Sequence, residues 1–96
     1  MTLHCLYIAR DTEMLERLLA SAESGDALLL LSSAVTLARG QNPLLERWQR
    51  QGGRVYALAE DLAAYGGDQQ HATFEVVDYP GWVALSIRHP KQQVWR

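Results

Sequence analysis

A run of five apolar residues at positions 27–31 is the strongest constraint on how this chain can fold. An apolar run without polar alternation favours a strand buried on both faces, as in a parallel sheet covered by helices. Such a strand cannot lie at the edge of a sheet. Gly25 and Asp26 form a turn signal before the run, and Ser32 and Ser33 end it. Binding sites in open α/β sheets collect where strands end, so the segment after residue 31 is the first candidate.

Strand and helix patterns alternate along the rest of the chain. Short apolar runs predict strands at 3–9, 27–31, 54–58 and 74–77. Helical spacing and capping signals predict helices from Asp11 or Thr12 to Ala22, at 34–38, from Pro43 to the Gly52-Gly53 pair, and at 60–65. Residues 66–73 are predicted to form an exposed, mobile loop.

The segment after Asp78 fits two patterns. Val83, Leu85 and Ile87 alternate as in a strand, whereas Tyr79, Trp82, Val83, Ser86 and Ile87 fit a helical stripe. We predict a helix, because Pro80 suits a first helical turn and His89-Pro90 supplies a stop signal. Alternating strands and helices predict a single α/β domain over residues 1–96, with a mainly parallel sheet of four to five strands covered on both faces.

Composition and charge narrow the class of protein. Nine basic and eleven acidic residues give a net charge of −2, so no positive field attracts nucleic acid. A single cysteine forms no intramolecular disulfide, and no Cys and His spacing predicts a metal site. The sequence shows no signal peptide or membrane-length apolar run, so we expect a cytoplasmic protein.

Several short motifs occur in an order that resembles one family. In the second half they are Arg54-Val55-Tyr56-Ala57-Leu58, Glu60-Asp61-Leu62, Val77-Asp78-Tyr79, Trp82-Val83 with Leu85, His89-Pro90, and Gln92 three residues before Trp95. The first half agrees more loosely, at Leu3-His4, Gly25-Asp26 before the leucine-rich strand, and Val35 after it. Together these motifs resemble the TusB/DsrH family of sulfur-relay proteins.

The resemblance implies a small flavodoxin-like, DsrE/F/H-like, three-layer domain without a cofactor. It implies a subunit that joins TusC-like and TusD-like sister subunits in a hetero-hexamer containing two copies of each. In the tRNA branch, such a complex passes persulfide sulfur toward 2-thiolation of the wobble uridine. In the sulfur-oxidiser branch, related complexes exchange sulfur with the dissimilatory sulfite reductase system. The TusD-like subunit carries the principal acceptor cysteine, and the TusB-like subunit is mostly architectural.

Two positions depart from the sulfur-oxidiser branch. Members of that branch can carry a cysteine on the first helix, where this chain has Leu18. Where relatives often have an Asp-Gly pair after the second strand, this chain has Ser33-Ala34. The missing helix cysteine favours the tRNA branch and a subunit that does not carry sulfur itself.

Cys5 is the only thiol that could carry a persulfide, which requires a thiolate that a partner can reach. It lies among apolar residues of the first predicted strand, so we expect a buried structural residue. His4 and His89 could act on protons or could be structural residues at the ends of a strand and a helix.

The remaining candidates lie at strand ends or are aromatic. Asp78 and Tyr79 follow the fourth strand, where ligands bind in such sheets, although an aspartate before a helix is also a common cap. Ser32 and Ser33 belong to no nucleophile motif. Tryptophans concentrate at protein interfaces, so Trp82 and Trp95 are candidate contact residues together with Trp48. Trp95 could be buried against its own domain or against a partner.

Three functional hypotheses remain open. The first is a non-catalytic subunit of a sulfur-relay complex that acts through its interfaces. The second is a sulfurtransferase or persulfide carrier that uses Cys5. The third is a homo-oligomeric module that binds a small ligand near Ser32 and Asp78. An isolated chain could also self-associate, and neither tRNA nor a membrane is an expected direct partner.

Overall fold

The computed structural model describes residues 1–8, 12–39, 42–65 and 74–96. The strands in these ranges are β1 Thr2–Leu6, β2 Ala27–Leu30, β3 Arg54–Leu58, β4 Glu75–Val77 and β5 Lys91–Trp95. The helices are α1 Thr12–Ser21, α2 Pro43–Arg50, α3 Ala59–Ala64 and α4 Tyr79–Arg88, with a 3₁₀ helix at Ser32–Arg39. The strands form one parallel sheet in the order β4-β3-β2-β1-β5.

The leucine-rich strand β2 lies at the centre of the sheet, which confirms the prediction that it is not an edge. Its four residues are at most 2% exposed. Leu28 pairs with His4 of β1 on one side and with Val55 of β3 on the other. Leu31 follows the strand and extends the pairing, because its amide donates to the carbonyl of Leu6 at 2.9 Å.

The order of the strands decides which helix covers which face. The chain steps from β1 to β4 in one direction across the sheet and then returns to the far side of β1 to form β5. Right-handed crossovers therefore place α1, the 3₁₀ helix, α2 and α3 on one face and α4 on the other. Two separate apolar clusters agree with this, one containing Leu18 and Trp48 and the other containing Cys5 and Leu85.

Most of the predicted elements are confirmed, with small shifts at their ends. The strand at 54–58 has the predicted bounds, and the choice of a helix for the segment after Asp78 was correct. The first strand ends at Leu6, whereas the prediction continued it to residue 9. The fourth strand begins one residue later than predicted. Asp11 and the predicted loop at 66–73 lie outside the described residues.

No sequence pattern predicted the strand β5. This strand pairs with β1 alone, from Thr2 opposite Lys91 to Leu6 opposite Trp95. Its first four residues are exposed, so the sequence carries no alternating apolar pattern there. Backbone hydrogen bonds, continued by the Tyr7 amide donating to the Trp95 carbonyl at 3.0 Å, hold it in place.

A buried hydrogen-bond network joins β1, β2 and β5. Asp26 accepts from Nε2 of His4 at 2.8 Å and from the amides of Thr2 at 2.8 Å and Glu23 at 3.0 Å. Trp95 Nε1 donates to Nδ1 of His4 at 3.2 Å. Both ring nitrogens of His4 are thus bonded, with Nε2 carrying the proton. His4 therefore lies within the strand as a structural residue, and half-buried Trp95 packs against its own domain.

The pKa of Asp26 follows from this network. Burial alone would raise its pKa, but the hydrogen bonds from Glu23, His4 and Thr2 outweigh burial and hold the pKa below its ordinary value. The ionised carboxylate therefore stabilises the fold at neutral pH. Because the pKa is lower in the folded state, this stabilisation is present above about pH 4 and is lost as the pH falls through the folded-state pKa.

We predict that Asp26→Asn lowers the free energy of unfolding by about 1–3 kcal/mol at pH 7, since charge-assisted bonds to buried donors are lost. The difference from the unmodified chain should begin to shrink below about pH 4, where Asp26 of the unfolded chain becomes protonated, and should be lost as the pH falls through the lower folded-state pKa. Urea denaturation at several pH values measures both effects. Glu13→Gln, which removes an exposed ion pair with Arg17, is the matched control and should cost less than about 1 kcal/mol. An equal loss at all pH values would contradict the prediction.

Candidate interaction surface

Helix α4 has well-defined ends. Asp78 caps its first turn, because Oδ1 accepts from the amide of Gly81 at 2.8 Å, and Pro80 lies in that turn, where it loses no hydrogen bond. At the other end, Nδ1 of buried His89 donates to the carbonyl of Leu85 at 3.0 Å. The cap favoured for Asp78 and the helix-end position of His89 thus agree with the structure.

One side of α4 packs on the sheet. Leu85 is buried, and half-buried Trp82 packs against the same apolar cluster. The hydroxyl of Ser86 donates to the carbonyl of Trp82 at 3.0 Å, so it has an internal partner. This inward side explains why the helix forms where it does.

The opposite side of α4 carries three exposed apolar residues, which we call the α4 ridge. They are Tyr79, Val83 and Ile87, with exposed fractions of 52%, 60% and 76%. Spacing of four residues places them in one row along the helix. Tyr79 also stacks on Trp82, with ring centroids 6.4 Å apart.

The outer sides of the other long helices are charged. α1 exposes Glu13, Glu16 and Arg17, and α2 exposes Glu46, Arg47 and Arg50. A surface helix normally places polar residues on the side away from the core, and α4 does not. Exposed apolar patches of this kind mark interaction sites, so the α4 ridge is the candidate functional surface.

Helix α4 has a charged residue at each end. Asp78 precedes the helix and Arg88 ends it, and both are exposed. Within the part of the chain that the structure describes, neither side chain forms an ion pair. At 100° per residue, both positions lie about 140° around the helix axis from Val83, so neither charge belongs to the α4 ridge.

Cys5 lies beneath α4, on the sheet face that the helix covers. It is 1% exposed, and its neighbours in the apolar cluster include Leu29 and Leu85. Burial raises the pKa of the Cys5 thiol to about 11. At pH 7, Cys5 is therefore almost entirely the neutral thiol, whereas sulfur transfer requires the thiolate.

The predicted strand-end residues are not brought together. The Ser32 amide donates to Oδ2 of Asp61 at 2.6 Å, and the Ser33 hydroxyl donates to the carbonyl of Tyr7 at 3.3 Å. Asp78 follows β4, which is separated from β2 by β3. Strand ends two positions apart in a sheet are about 10 Å apart. Ser32 also has a positive φ of 51°, and the Asp61 carboxylate holds its amide in this turn.

A concave region lies at the end of the sheet where β2 and β3 begin, opposite the end that carries Ser32 and Asp78. This cavity of about 270 Å³ is lined by Gly25 and Asp26 before β2 and by Gly52 and Gly53 before β3. The Asp26 carboxylate there already accepts three hydrogen bonds from the protein. Among the residues described, no group of three His, Cys, Asp or Glu side chains could hold a metal ion.

The three tryptophans have different surroundings. Trp48 is buried, and its Nε1 donates to the carbonyl of Arg54 at 3.0 Å. Trp82 and Trp95 are half-buried against opposite faces of the sheet. The exposed aromatic ring of the candidate surface is therefore Tyr79. Val83 and Ile87 were not predicted as site residues. The α4 sequence is apolar on two sides of the helix, which was a signal that the helix could contact more than its own sheet.

Fold and surface define a class: a small α/β domain with an all-parallel sheet and an exposed apolar row on its last helix. The model of the family described as "DsrH like protein" matches residues 9–92. Relatives named Protein TusB from Escherichia coli ATCC 8739 and from Salmonella dublin are 41% and 37% identical over 95 and 94 residues. These matches cover 98% and 97% of this chain and 97% and 99% of the relatives. The chain therefore belongs to the TusB/DsrH family of sulfur-relay proteins.

Solved structures agree on the fold. The ychN protein from E. coli superposes with a TM-score of 0.75 at 16% identity, covering 99% of both chains. A protein of unknown function from Methanobacterium thermoautotrophicum gives a TM-score of 0.71 at 18% identity, covering 97% of this chain and 96% of its own. In the described ranges, no helix is long and apolar enough to span a bilayer.

We predict that Ile87→Lys changes the free energy of unfolding by less than about 0.5 kcal/mol, because the Ile87 side chain contributes little to the core. Leu85→Ala, two residues earlier on the buried side, should cost about 2–4 kcal/mol. Urea denaturation at low protein concentration compares the two variants. A large loss for Ile87→Lys would show that the α4 ridge is needed for folding.

Proposed function

We propose that this chain is a non-catalytic subunit of a cytoplasmic complex that passes persulfide sulfur toward 2-thiolation of the tRNA wobble uridine. The observation that carries the proposal is the burial of Cys5, the only cysteine of a chain that belongs to a sulfur-relay family. The cytoplasm, which contains the tRNA, is the compartment that this role requires.

Sulfur transfer between proteins proceeds by attack of a thiolate on a sulfane sulfur, so the acceptor sulfur must be reachable and ionised. Cys5 satisfies neither condition, since it is covered by α4 and its pKa is raised to about 11. Leu18, where members of the sulfur-oxidiser branch can carry a cysteine, is fully buried in the core. These residues support a role in which other subunits carry the sulfur.

A subunit without a reactive group contributes by positioning its partners. The chain exposes an apolar surface and has no net positive charge to attract tRNA directly. We therefore assign it TusC-like and TusD-like sister subunits as partners, in the hetero-hexamer that the family resemblance implies.

Co-purification tests the assembly. The chain, mixed with its TusC-like and TusD-like sisters at micromolar concentration, should elute from a size-exclusion column as one species with all three chains. The control is any unrelated α/β domain of similar size and net charge, which should elute separately from the sister subunits. Separate elution of this chain from both sisters would overturn the proposed complex.

Cys5→Ala tests the non-catalytic role. We expect the assembled complex to transfer persulfide sulfur to its acceptor within about twofold of the rate of the unmodified complex, because burial keeps the Cys5 thiol neutral and out of reach of a partner. Radiolabelled sulfur transfer in single turnover measures the rate. Co-elution of the variant with its sisters controls for assembly.

Alkylation gives an independent measurement. Iodoacetamide should modify Cys5 at least a hundredfold more slowly in the native chain than in urea, as mass spectrometry would show. Fast native labelling, together with loss of transfer in an assembled Cys5→Ala complex, would instead support the persulfide-carrier hypothesis.

A further inference from the structure

We propose that the hydrogen bond from Trp95 to His4 is an acid-sensitive latch: a second proton on the His4 ring breaks this bond and lets the C-terminal end of β5 separate from β1. This inference goes beyond the proposed function and does not rest on it. It is carried by the donor and acceptor roles of three buried or half-buried side chains and by the exposure of the rest of β5.

The hydrogen bonds of the His4 ring are possible in one protonation state only. The indole N–H of Trp95 can only donate, so Nδ1 of His4, 3.2 Å away, accepts and carries no proton. Nε2 lies 2.8 Å from Oδ2 of Asp26, so it carries the single proton of the ring and donates to that carboxylate. The closed arrangement therefore requires a neutral His4.

A proton added to Nδ1 turns this acceptor into a second donor. Two N–H groups would then face each other across the 3.2 Å between His4 and Trp95. Rotation of the ring gives no relief, because both nitrogens of a charged imidazole carry a proton. The bond from Nε2 to Asp26 becomes charge-assisted and stronger, so the protonated ring stays with Asp26 and loses Trp95.

Asp26 is the charged group that faces the His4 ring. Its pKa lies below the ordinary value, because the hydrogen bonds that it accepts outweigh burial, so it stays ionised at mildly acidic pH. The neutral neighbours of the ring, in the sheet and on α2, are Leu28, Gln93, Trp48 and Trp95. Histidine is the side chain whose charge ordinarily changes between about pH 5 and 8. Mild acid therefore changes this network at His4.

Other charged groups near this part of the sheet do not bond to the ring. Lys91 is at the first position of β5, and Arg96 lies over the ring of Tyr7, 5.2 Å from its centroid. The charged side chains of α1 and α2, Glu23 of the turn before β2, and the first residue of the chain are exposed. In the ranges that the structure describes, none of these side chains forms an ion pair with His4.

Trp95 is the side chain that anchors β5 to the domain. The four residues before it in the strand are exposed, and Trp95 is the residue of β5 that packs against an apolar cluster. Backbone pairing with β1 alone holds the rest of the strand, and such poorly buried segments open locally more easily than a core strand. Loss of the Trp95 bond therefore frees the end of β5 and, with it, the bond from the Tyr7 amide to the Trp95 carbonyl.

Hydrogen exchange of single backbone amides measures the latch. The Tyr7 amide reports on the end of β5, whereas the Leu31 amide, which donates to the carbonyl of Leu6 at 2.9 Å, reports on the centre of the sheet. A closed state that excludes the second proton opens up to about tenfold more per pH unit of acidification. From about pH 7.5 to 4.5, the protection factor of Tyr7, relative to an unstructured peptide at the same pH, should fall at least about tenfold. That of Leu31 should change less than about threefold, and a constant value for Tyr7 would overturn the proposal.

Trp95→Phe separates the latch from a general effect of acid. Phenylalanine keeps an aromatic ring but has no N–H, so a proton on His4 meets no opposing donor. The Tyr7 protection factor should be lower than in the unmodified chain at neutral pH and should no longer depend on pH. A fall on acidification as large as that of the unmodified chain would contradict the latch.

His4→Gln removes the titrating group and keeps an amide N–H that can donate to Asp26. The pH response of the Tyr7 amide should disappear in this variant. His89→Gln, which replaces the other buried histidine, at the end of α4, is the matched control and should keep the response. Equal responses in the two variants would show that His4 is not the switch.

Nitrogen-15 NMR of the imidazole locates the proton directly. At neutral pH, the His4 ring should be protonated at Nε2 and not at Nδ1. On acidification, both nitrogens should become protonated, and the indole N–H of Trp95 should exchange faster with water. A doubly protonated His4 beside a Trp95 indole that is as protected as at neutral pH would overturn the proposal.

The outcomes separate this inference from the proposed function. A chain whose β5 is insensitive to pH but which co-elutes with sister subunits loses the inference and keeps the proposed function. A chain that shows the pH response but elutes apart from both sisters keeps the inference and loses the proposed function.

Discussion

The burial of β2 on both faces is the constraint on which the rest of the structure depends. A strand of leucines in the middle of a parallel sheet is stable only if both faces of the sheet are covered. Because the chain adds strands in one direction from β1 to β4, right-handed crossovers place α1 to α3 on one face. The other face is covered when the chain reverses direction after β4. That reversal assigns the second face to α4 and makes β5 the neighbour of β1.

Elements with a strong local pattern could be predicted from the sequence, whereas β5 could not. β2 and β3 are buried and apolar, and α2 begins at an Asn-Pro pair whose Asn42 side chain caps the first turn. Each of these signals lies within the element itself. The strand β5 reads Lys-Gln-Gln-Val-Trp, and its position depends on pairing with β1, some ninety residues earlier. No pattern within five mostly polar residues encodes such a partner.

The candidate site shows the same division. The cap at Asp78 and the burial of Cys5 follow from neighbouring residues, and the structure agrees with both. The pairing of His4 with Asp26 joins residues 22 positions apart, and the bond from Trp95 to His4 joins residues 91 positions apart. In the sequence, Asp26 is recognisable only as a turn residue. The exposure of Val83 and Ile87 also depended on knowing which side of α4 faces the sheet.

Helix α4 covers Cys5, the only thiol of the chain, and this limits the chemistry that Cys5 can perform. Exposing Cys5 would require α4 to move away from the sheet, which would bring Leu85 and Trp82 into water. Full exposure of one large apolar side chain costs about 1.5–3 kcal/mol, so an open state is sparsely populated. Any partner bound to the outer side of α4 in its present position would favour the closed state further. Sulfur transfer through Cys5 would therefore require α4 to leave the sheet, and the packing of Leu85 and Trp82 favours the closed state.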